Sequence, residues 1–577
     1  MVFAQDPFAG QSPPQSPPTT ASNAVTVQGT VHNSATGDPL PRALVQIEGD
    51  AETSALTDGD GRFEIPGVAA GQRTIRIVKP GFRDRPYPTE ENGPQAEGPA
   101  HSVLVAAQMP DLAFALAPNS AIHGRIELST GDPGAGIPVL LFRQLVRFGR
   151  NGWSVEGNTR TDGDGSYRFG GLSDGVYLLQ TQPTLESEPA VNVVAPGSGT
   201  SVLRNGYASV FYPDARDLAG ASRIQLSGGS QAEANFSLVL EPFYAVTAFA
   251  GRAGGISGPG GGAGSQAQQA SYSATVMDSS GQMTPYAAQY DSATHSLQAS
   301  LPNGSYTLVA RADTAVNSFQ ADGLIQLSNA GSRGSVGAVD FTVAGHAVTG
   351  LRIPIGAQPL ATVHLRLVHN ADNPNATPVQ TAAGAQLVNL NLEQASGASS
   401  NGPESTLSMT SQPDSISFTA QPGLYWLSVT LAQKGLCAGS LTAGGANLAR
   451  EPLALSLATA PPPMDLTLRD DCGTLALALP ATLATSLPGD EPYYTVYIVP
   501  DFDTVQDIAP LHMHPSWGPS LTIDGLTPGS YHVYAFDSPV HLEYRDPAAL
   551  AAQSNAGQQV TISPGVTANL VLEGLEH

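Results

Sequence analysis

Apolar and polar residues alternate in short runs along almost the whole chain, and glycine or proline separates one run from the next. Val25-Thr-Val-Gln-Gly-Thr-Val-His, Ala121-Ile-His-Gly-Arg-Ile-Glu-Leu, Tyr493-Tyr-Thr-Val-Tyr-Ile and Val560-Thr-Ile show the pattern. Every second side chain shares a face, so each run predicts a half-buried β-strand. No segment sustains a helical period. Ala548-Ala-Leu-Ala-Ala-Gln predicts one short helix.

One phrase recurs along this alternation: an apolar residue, two spacers, glycine, one spacer, tyrosine, then alternating apolar residues. It reads Val68-Ala-Ala-Gly71-Gln-Arg73, Leu172-Ser-Asp-Gly175-Val-Tyr177 and Leu301-Pro-Asn-Gly304-Ser-Tyr306. It returns as Ala420-Gln-Pro-Gly423-Leu-Tyr425 and Leu526-Thr-Pro-Gly529-Ser-Tyr531. Pro-Asn-Gly and Pro-Gly-Ser are turn chemistry, because proline fixes φ and glycine accepts positive φ. The tyrosine then opens a strand, its ring packing while its hydroxyl reaches a backbone partner. The first copy departs from the pattern, with Arg73 in the tyrosine position.

The copies lie about one small domain apart, which predicts tandem modules over a single large enzyme fold. The expected fold is all-β: five tandem antiparallel β-sandwiches, Ig-like or transthyretin-like, in an elongated array. The expected boundaries are 24–118, 119–241, 242–357, 358–468 and 469–574. A Pro/Ser/Thr-rich tether occupies 1–23, and its composition predicts an extended, poorly ordered segment. A Gly/Ser-rich loop without periodicity, Gly251 to Gln269, opens the third module.

Composition agrees with this outline. The 62 glycines and 47 prolines of the 577 residues suit a chain of many turns. Hydrophobic content of 41% still supplies packed cores. The formal net charge is −24, and Lys79 and Lys434 are the only lysines. Without a basic stripe, nucleic acid and anionic membrane surfaces are poor partners. No apolar run is long enough to span a bilayer as a helix. The start, Met1-Val-Phe-Ala-Gln5, reads as a cut near a signal-peptide cleavage site with Met1 added, which predicts a secreted or cell-envelope protein. The end, Leu575-Glu576-His577, reads as a purification-tag remnant or as native sequence.

The first two modules share a longer grammar. After the opening strand come Gly37-Asp-Pro-Leu-Pro-Arg-Ala-Leu-Val, Thr57-Asp-Gly-Asp-Gly61-Arg-Phe63 and the glycine phrase. The second replays this with Ile137-Pro-Val-Leu-Leu-Phe, Thr161-Asp-Gly-Asp-Gly165-Ser-Tyr167 and its own glycine phrase. Residues 24 to about 241 thereby resemble the carboxypeptidase regulatory-like domain, a transthyretin-like β-sandwich of secreted bacterial proteins. Gly136-Ile-Pro-Val departs from the family's alanine phrase, and beyond 241 only the glycine–tyrosine hairpin persists. The resemblance implies a binding or scaffolding module. It raises carbohydrate among ligands, because the superfamily includes starch-binding domains.

Several residues invite a site reading. Asp58, Asp60, Asp162 and Asp164 are hard oxygen ligands at alternating positions, as calcium loops use, but the runs lack the later bidentate glutamate. Asp-Gly between strands is also the strongest hairpin signal, and in the resembled family the phrase is a turn. His512-Met-His514, with Trp517 and His532 near in sequence, lacks further ligands at a recognisable metal spacing. Trp153, in an extra basic hairpin with Arg147 and Arg150, and Trp517, in a Pro/Gly-rich loop, are candidates to stack on sugar rings; the alternative is that they cover sandwich ends. Trp426 lies within a strand, as core or sheet face. Cys437 and Cys472 pair in an oxidising compartment, or are two buried thiols.

Enzyme signatures are missing. There is no His-Glu-x-x-His, no Gly-x-Ser-x-Gly elbow and no phosphate loop ending in Lys-Ser/Thr. The leading expectation is a non-catalytic secreted or envelope protein that binds polysaccharide or another surface component. The alternative is structural: modules that act as spacers, or that self-associate into a surface layer or fibre.

Overall fold

The computed structural model describes residues 24–572 except 49–52, 85–100, 107–108, 148, 187–191, 194–200, 203, 252–270, 280, 314–334, 358–359, 369–387, 396–397, 400–407, 413, 421, 432–434, 457–458, 480–493, 509, 514–519, 537–541 and 554–556. The tether and most of the Gly/Ser-rich loop lie outside the described residues. Among the described residues the chain is all-β: strand pairs that are mostly antiparallel, with a parallel pair in several sheets, carry nearly all the regular structure, beside one five-residue helix, Pro547–Ala551. That helix starts where Asp546 accepts from the Ala548 N–H at 2.9 Å and proline occupies the first turn. Among the described residues, no helix is long and apolar enough to cross a membrane.

Contacts divide the chain into two compact units, one ending at Pro118 and the other beginning at Asn119. In the first unit, one sheet runs Arg62–Ala69, Ala24–Asn33, Leu112–Pro118, Phe82–Asp84 in spatial order. The other runs Thr53–Leu56, Leu44–Glu48, Gly71–Val78, His101–Val105. Alternate residues of the two, among them Val27, Phe63 and Phe114 from one and Val45, Ile75 and Val103 from the other, form one buried core. The opening strand pairs in parallel with Leu112–Pro118, and a Cβ at Gly29 would strike the Leu112 carbonyl. Glycine stands mid-strand because that close approach requires it.

The second unit begins with the same plan. Ser166–Leu172, Ser120–Leu128 and Gln231–Glu233 form one sheet, opposite Ile224–Leu226, Gly175–Thr181, Pro138–Arg147 and Arg150–Arg160. Gly124 meets the Ala234 carbonyl as Gly29 meets that of Leu112. The next core, around Val246, Leu297, Leu308 and Phe341, is wrapped by a ten-stranded sheet. Its strand Leu240–Ala250 runs across position 241, and pairs with Arg204–Tyr207 from the preceding segment. The sheet therefore spans the position where the sequence pattern puts a boundary. Further along, Ala361–Val368 and Met464–Arg469 sit in a six-stranded sheet over a three-stranded one centred on Gly423–Leu431. The last core lies between Gly473–Ala478 with its neighbours and the sheet of Tyr494–Pro500 and Gly529–Phe536.

The recurring phrase has one structural meaning throughout. The following strands are Gly71–Val78, Gly175–Thr181, Gly304–Asp313, Gly423–Leu431 and Gly529–Phe536, so each starts at the phrase's glycine. The tyrosine turns inward and its ring is buried: Tyr177, Tyr425 and Tyr531 are among the largest fully buried side chains. Tyr177 Oη donates to the Ser173 carbonyl at 2.7 Å, Tyr306 Oη to Pro302 at 3.2 Å and Tyr531 Oη to Thr527 at 2.6 Å. Each bond reaches back four residues and closes the turn that launches the strand. A Cβ at Gly304 would stand 2.8 Å from the Tyr306 hydroxyl, which explains the glycine two positions before the ring.

Candidate functional site

The aspartate turns are built from the threonine outward. Thr57 and Thr161 are buried, and each hydroxyl accepts from one loop N–H and donates to one loop carbonyl: Ala43 and Leu40 for Thr57, Ile137 and Gly134 for Thr161. The carboxylates then act as turn acceptors. Asp58 Oδ1 accepts from the N–H groups of Asp60 and Arg62, both at 2.9 Å. Asp162 Oδ1 accepts from Ser166 N at 2.9 Å, and Asp164 Oδ1 from the Ser166 hydroxyl at 2.6 Å. Arg125 pairs with Asp164 at 2.9 Å. A hydrogen bond shared with the Asp162 carboxyl, then those from the Ser166 hydroxyl and N–H, hold the Asp164 carboxyl far below the usual carboxylate range. Oδ1 of Asp58, Asp162 and Asp164 is thus engaged in closing its hairpin. Among the described residues, no cluster of three or more His, Cys, Asp or Glu side chains is arranged to hold a metal.

His514 and Trp517 lie outside the described residues. His532 Nδ1 lies 2.6 Å from Asp501 Oδ1, while Ser530 Oγ donates to Asp501 Oδ2 at 2.8 Å. Cys437 and Cys472 form a disulfide with Cα atoms 5.8 Å apart, beside strands Cys437–Ala443 and Gly473–Ala478.

Trp153 belongs to a strand, Arg150–Arg160, and not to a loop. That strand and Pro138–Arg147 make the extra hairpin, twice the length of the corresponding pair Leu44–Glu48 and Thr53–Leu56 in the first unit. Trp153 is half-buried and packs on a small cluster of Phe142, Leu178 and Phe211, with the Arg223 guanidinium 6.0 Å from its ring. Its face serves the sandwich that carries it.

The tip of this hairpin reaches residues hundreds of positions away in the same unit. The Arg150 guanidinium lies over the Trp426 ring, 3.5 Å from its centroid. Arg150 Nη2 donates to the Ala449 carbonyl at 3.1 Å. The Gly149 carbonyl accepts from Arg545 N at 3.0 Å, and Gly149, at φ 72°, would drive any Cβ into the Tyr544 ring. Trp153 and Ser154 pair in parallel with Ala398 and Ser399. Burial, then the nearby Arg545 charge, lowers the Arg150 pKa to about 10, against the opposing pull of Glu393; the group is still a cation at neutral pH.

The seat for this tip is itself rigid. Arg545 Nη1 donates to the Thr504 carbonyl at 3.1 Å, and Tyr544 Oη to Asp507 Oδ1 at 2.9 Å. Val429 and Asp507 are joined through Val429 N to the Val505 carbonyl and Asp507 N to the Val429 carbonyl. Gln506 accepts from Ala438 N at 2.9 Å and donates to the Gly525 carbonyl at 2.8 Å, so one side chain ties the last two cores together beside the disulfide. Sequence reasoning found the basic hairpin and Trp426 separately. It missed their pairing, and it gave no role to Tyr544, Arg545 or Gln506. Chemically, the arrangement is a cation on an indole face held by the Ala449 carbonyl, with Glu393 and Ser428 lining the same small cavity.

Residues 26–98 match the carboxypeptidase regulatory-like domain family, in agreement with the sandwich of the first unit. No curated protein sequence matches the chain. Among solved structures, the TIE protein of Bacillus anthracis is 10% identical over 57% of this chain and 51% of its own, with a TM-score of 0.16. The chain therefore spans about half the length of that protein. A streptococcal ancillary pilin is 11% identical over 58% of this chain and 100% of its own (TM-score 0.19). BcpA, the major pilin subunit of Bacillus cereus, is 10% identical over 58% and 100% (TM-score 0.16). Likeness at these scores carries no argument about role.

Proposed function

We propose that the chain is a non-catalytic extracellular or cell-envelope protein with a structural role, its β-modules forming a scaffold over the divisions 24–118, 119–241, 242–357, 358–468 and 469–574. The observation that carries this reading is Arg150 on Trp426. The two most binding-like features of the sequence, a basic hairpin and a strand tryptophan, are spent on each other inside one molecule. Trp153 likewise lies against Phe142 and under Arg223. A sugar platform needs an open aromatic face, and each of these rings already has a guanidinium over it. The disulfide fits an oxidising compartment.

Polysaccharide binding is the competing proposal, and affinity electrophoresis separates the two. The purified chain is run through native gels containing bacterial and plant polysaccharides. The scaffold reading expects unchanged mobility across the panel. Retardation by one polymer, abolished by Trp153→Ala or Trp517→Ala, overturns it in favour of glycan binding.

A further inference from the structure

The hairpin contact closes a loop of chain. Between Arg150 and its seat at Trp426, Ala449 and Arg545 lies the whole core of Val246, Leu297, Leu308 and Phe341. That core is joined to the preceding segment through the pairing of Arg204–Tyr207 with Leu240–Ala250. We propose that the hairpin is a mechanical shunt. Load applied between Asn119 and the C-terminal strand Thr567–Val571 passes from the first sandwich of this unit through the hairpin to the Trp426–Arg545 seat. The ten-stranded sheet and its core carry no load until that contact opens.

The geometry suits a reversible latch. The hairpin strands pair from Pro138↔Arg160 to Arg147↔Arg150 with one irregularity at Leu141/Phe142, and the registered pairs beyond it, from Phe142↔Val155 on, stiffen the lever toward its tip. Its attachment is small by comparison: one stacked guanidinium, two hydrogen bonds to backbone, and the two-residue pairing with Ala398 and Ser399. The seat behind it is braced by Arg545, Tyr544, Gln506 and the disulfide. Under tension the attachment gives way before either sandwich does, and the bypassed segment is released as stored length. Because nothing unfolds in that step, relaxation re-seats the tip.

The test is single-molecule force spectroscopy on the full chain held at its two termini. The expected trace has a first extension step at lower force than any unfolding event, reversible on relaxation. Arg150→Ala and Trp426→Ala each lower the force of that step and leave the unfolding events of the sandwiches in place. Should Trp426→Ala weaken its own core, Arg150→Ala decides, since Arg150 sits at a hairpin tip. A wild-type trace without an early step, or an early step at unchanged force in Arg150→Ala, overturns the proposal. Retardation in polysaccharide gels would sink the scaffold reading and leave this result untouched, so the two failures are distinguishable.

Discussion

Arg73 Nε donates to the Ala69 carbonyl at 3.0 Å, and this is the same four-residue closure that Tyr531 Oη makes to the Thr527 carbonyl at 2.6 Å. The one copy of the glycine phrase that lacks tyrosine keeps its hydrogen bond with a different donor. What is held fixed is the bond that closes the turn, and the side chain is whatever can reach it. At Tyr531 the ring also fills the core, so Tyr531→Phe isolates the hydroxyl. It leaves a buried carbonyl without its partner and is expected to cost about 1–3 kcal/mol. Arg73→Ala, at a more exposed turn, is expected to cost less, about 1 kcal/mol or below. Urea unfolding of each variant checks the order; equal losses at the two sites would contradict it.

The disulfide is expected to matter most to the last two cores. Cys437 and Cys472 are 35 residues apart, and closing a loop of that length stabilises by roughly 3–4 kcal/mol on the chain-entropy account. Cys437→Ser with Cys472→Ser should lower the melting transition of residues 361–571 while that of residues 24–118 stays put. Differential scanning calorimetry, with and without a reductant on the parent chain, reads both.

Alkaline pH should unfold the second unit through its phenols. Burial raises Tyr167, Tyr286, Tyr531 and Tyr544 above the ordinary range, and pushes Tyr306 up to about 12. In the unfolded chain all ionise near pH 10. A raised folded pKa means the native state keeps protons that the unfolded state loses. Stability is therefore intact below about pH 10 and falls as pH rises above it. Stability measured from pH 7 to 11.5 should be flat and then drop, with the phenolate absorbance of these five buried tyrosines appearing together with unfolding. Full phenolate absorbance in a chain still folded would contradict the burial argument.

How much of this was legible in the sequence depends on distance along the chain. Gly175, Gly304 and Gly529 mark strand starts because turn chemistry is local. Asp58 and Asp162 could be read as hairpin acceptors because their partners are four residues away or fewer. The short helix was read from its Ala548-Ala-Leu-Ala-Ala run, and in the structure Asp546 and Pro547 start it. By contrast, nothing in a two-residue period announces that Arg204–Tyr207 pairs with Leu240–Ala250. Nor does any spacing link Arg150 to Trp426. The hairpin's extra length was visible, and so was its charge. Its seat was not, because the seat is assembled from strand Gly423–Leu431, the Ala449 turn and the approach to the helix, which only the folded chain brings together.

Gly149 offers a steric check on the same contact. Its φ of 72° and the Tyr544 ring leave no room for a side chain. Gly149→Val should press on the Tyr544 ring, which packs against Tyr497 and Leu542, and release the hairpin tip. Proteolysis is expected to become faster within residues 145–152. An unchanged cleavage pattern would place the tip off its seat in solution.

The central claim, that the hairpin is an internal attachment, is tested most directly by a double-mutant cycle on Arg150→Ala and Trp426→Ala in chemical unfolding. A guanidinium stacked on an indole is worth about 0.5–2 kcal/mol. The cycle should return a coupling in that range, falling in the double variant to the sum of the singles minus that amount. Strictly additive losses, with no coupling between the two residues, would contradict the account and return the hairpin to the list of free surfaces available to a ligand.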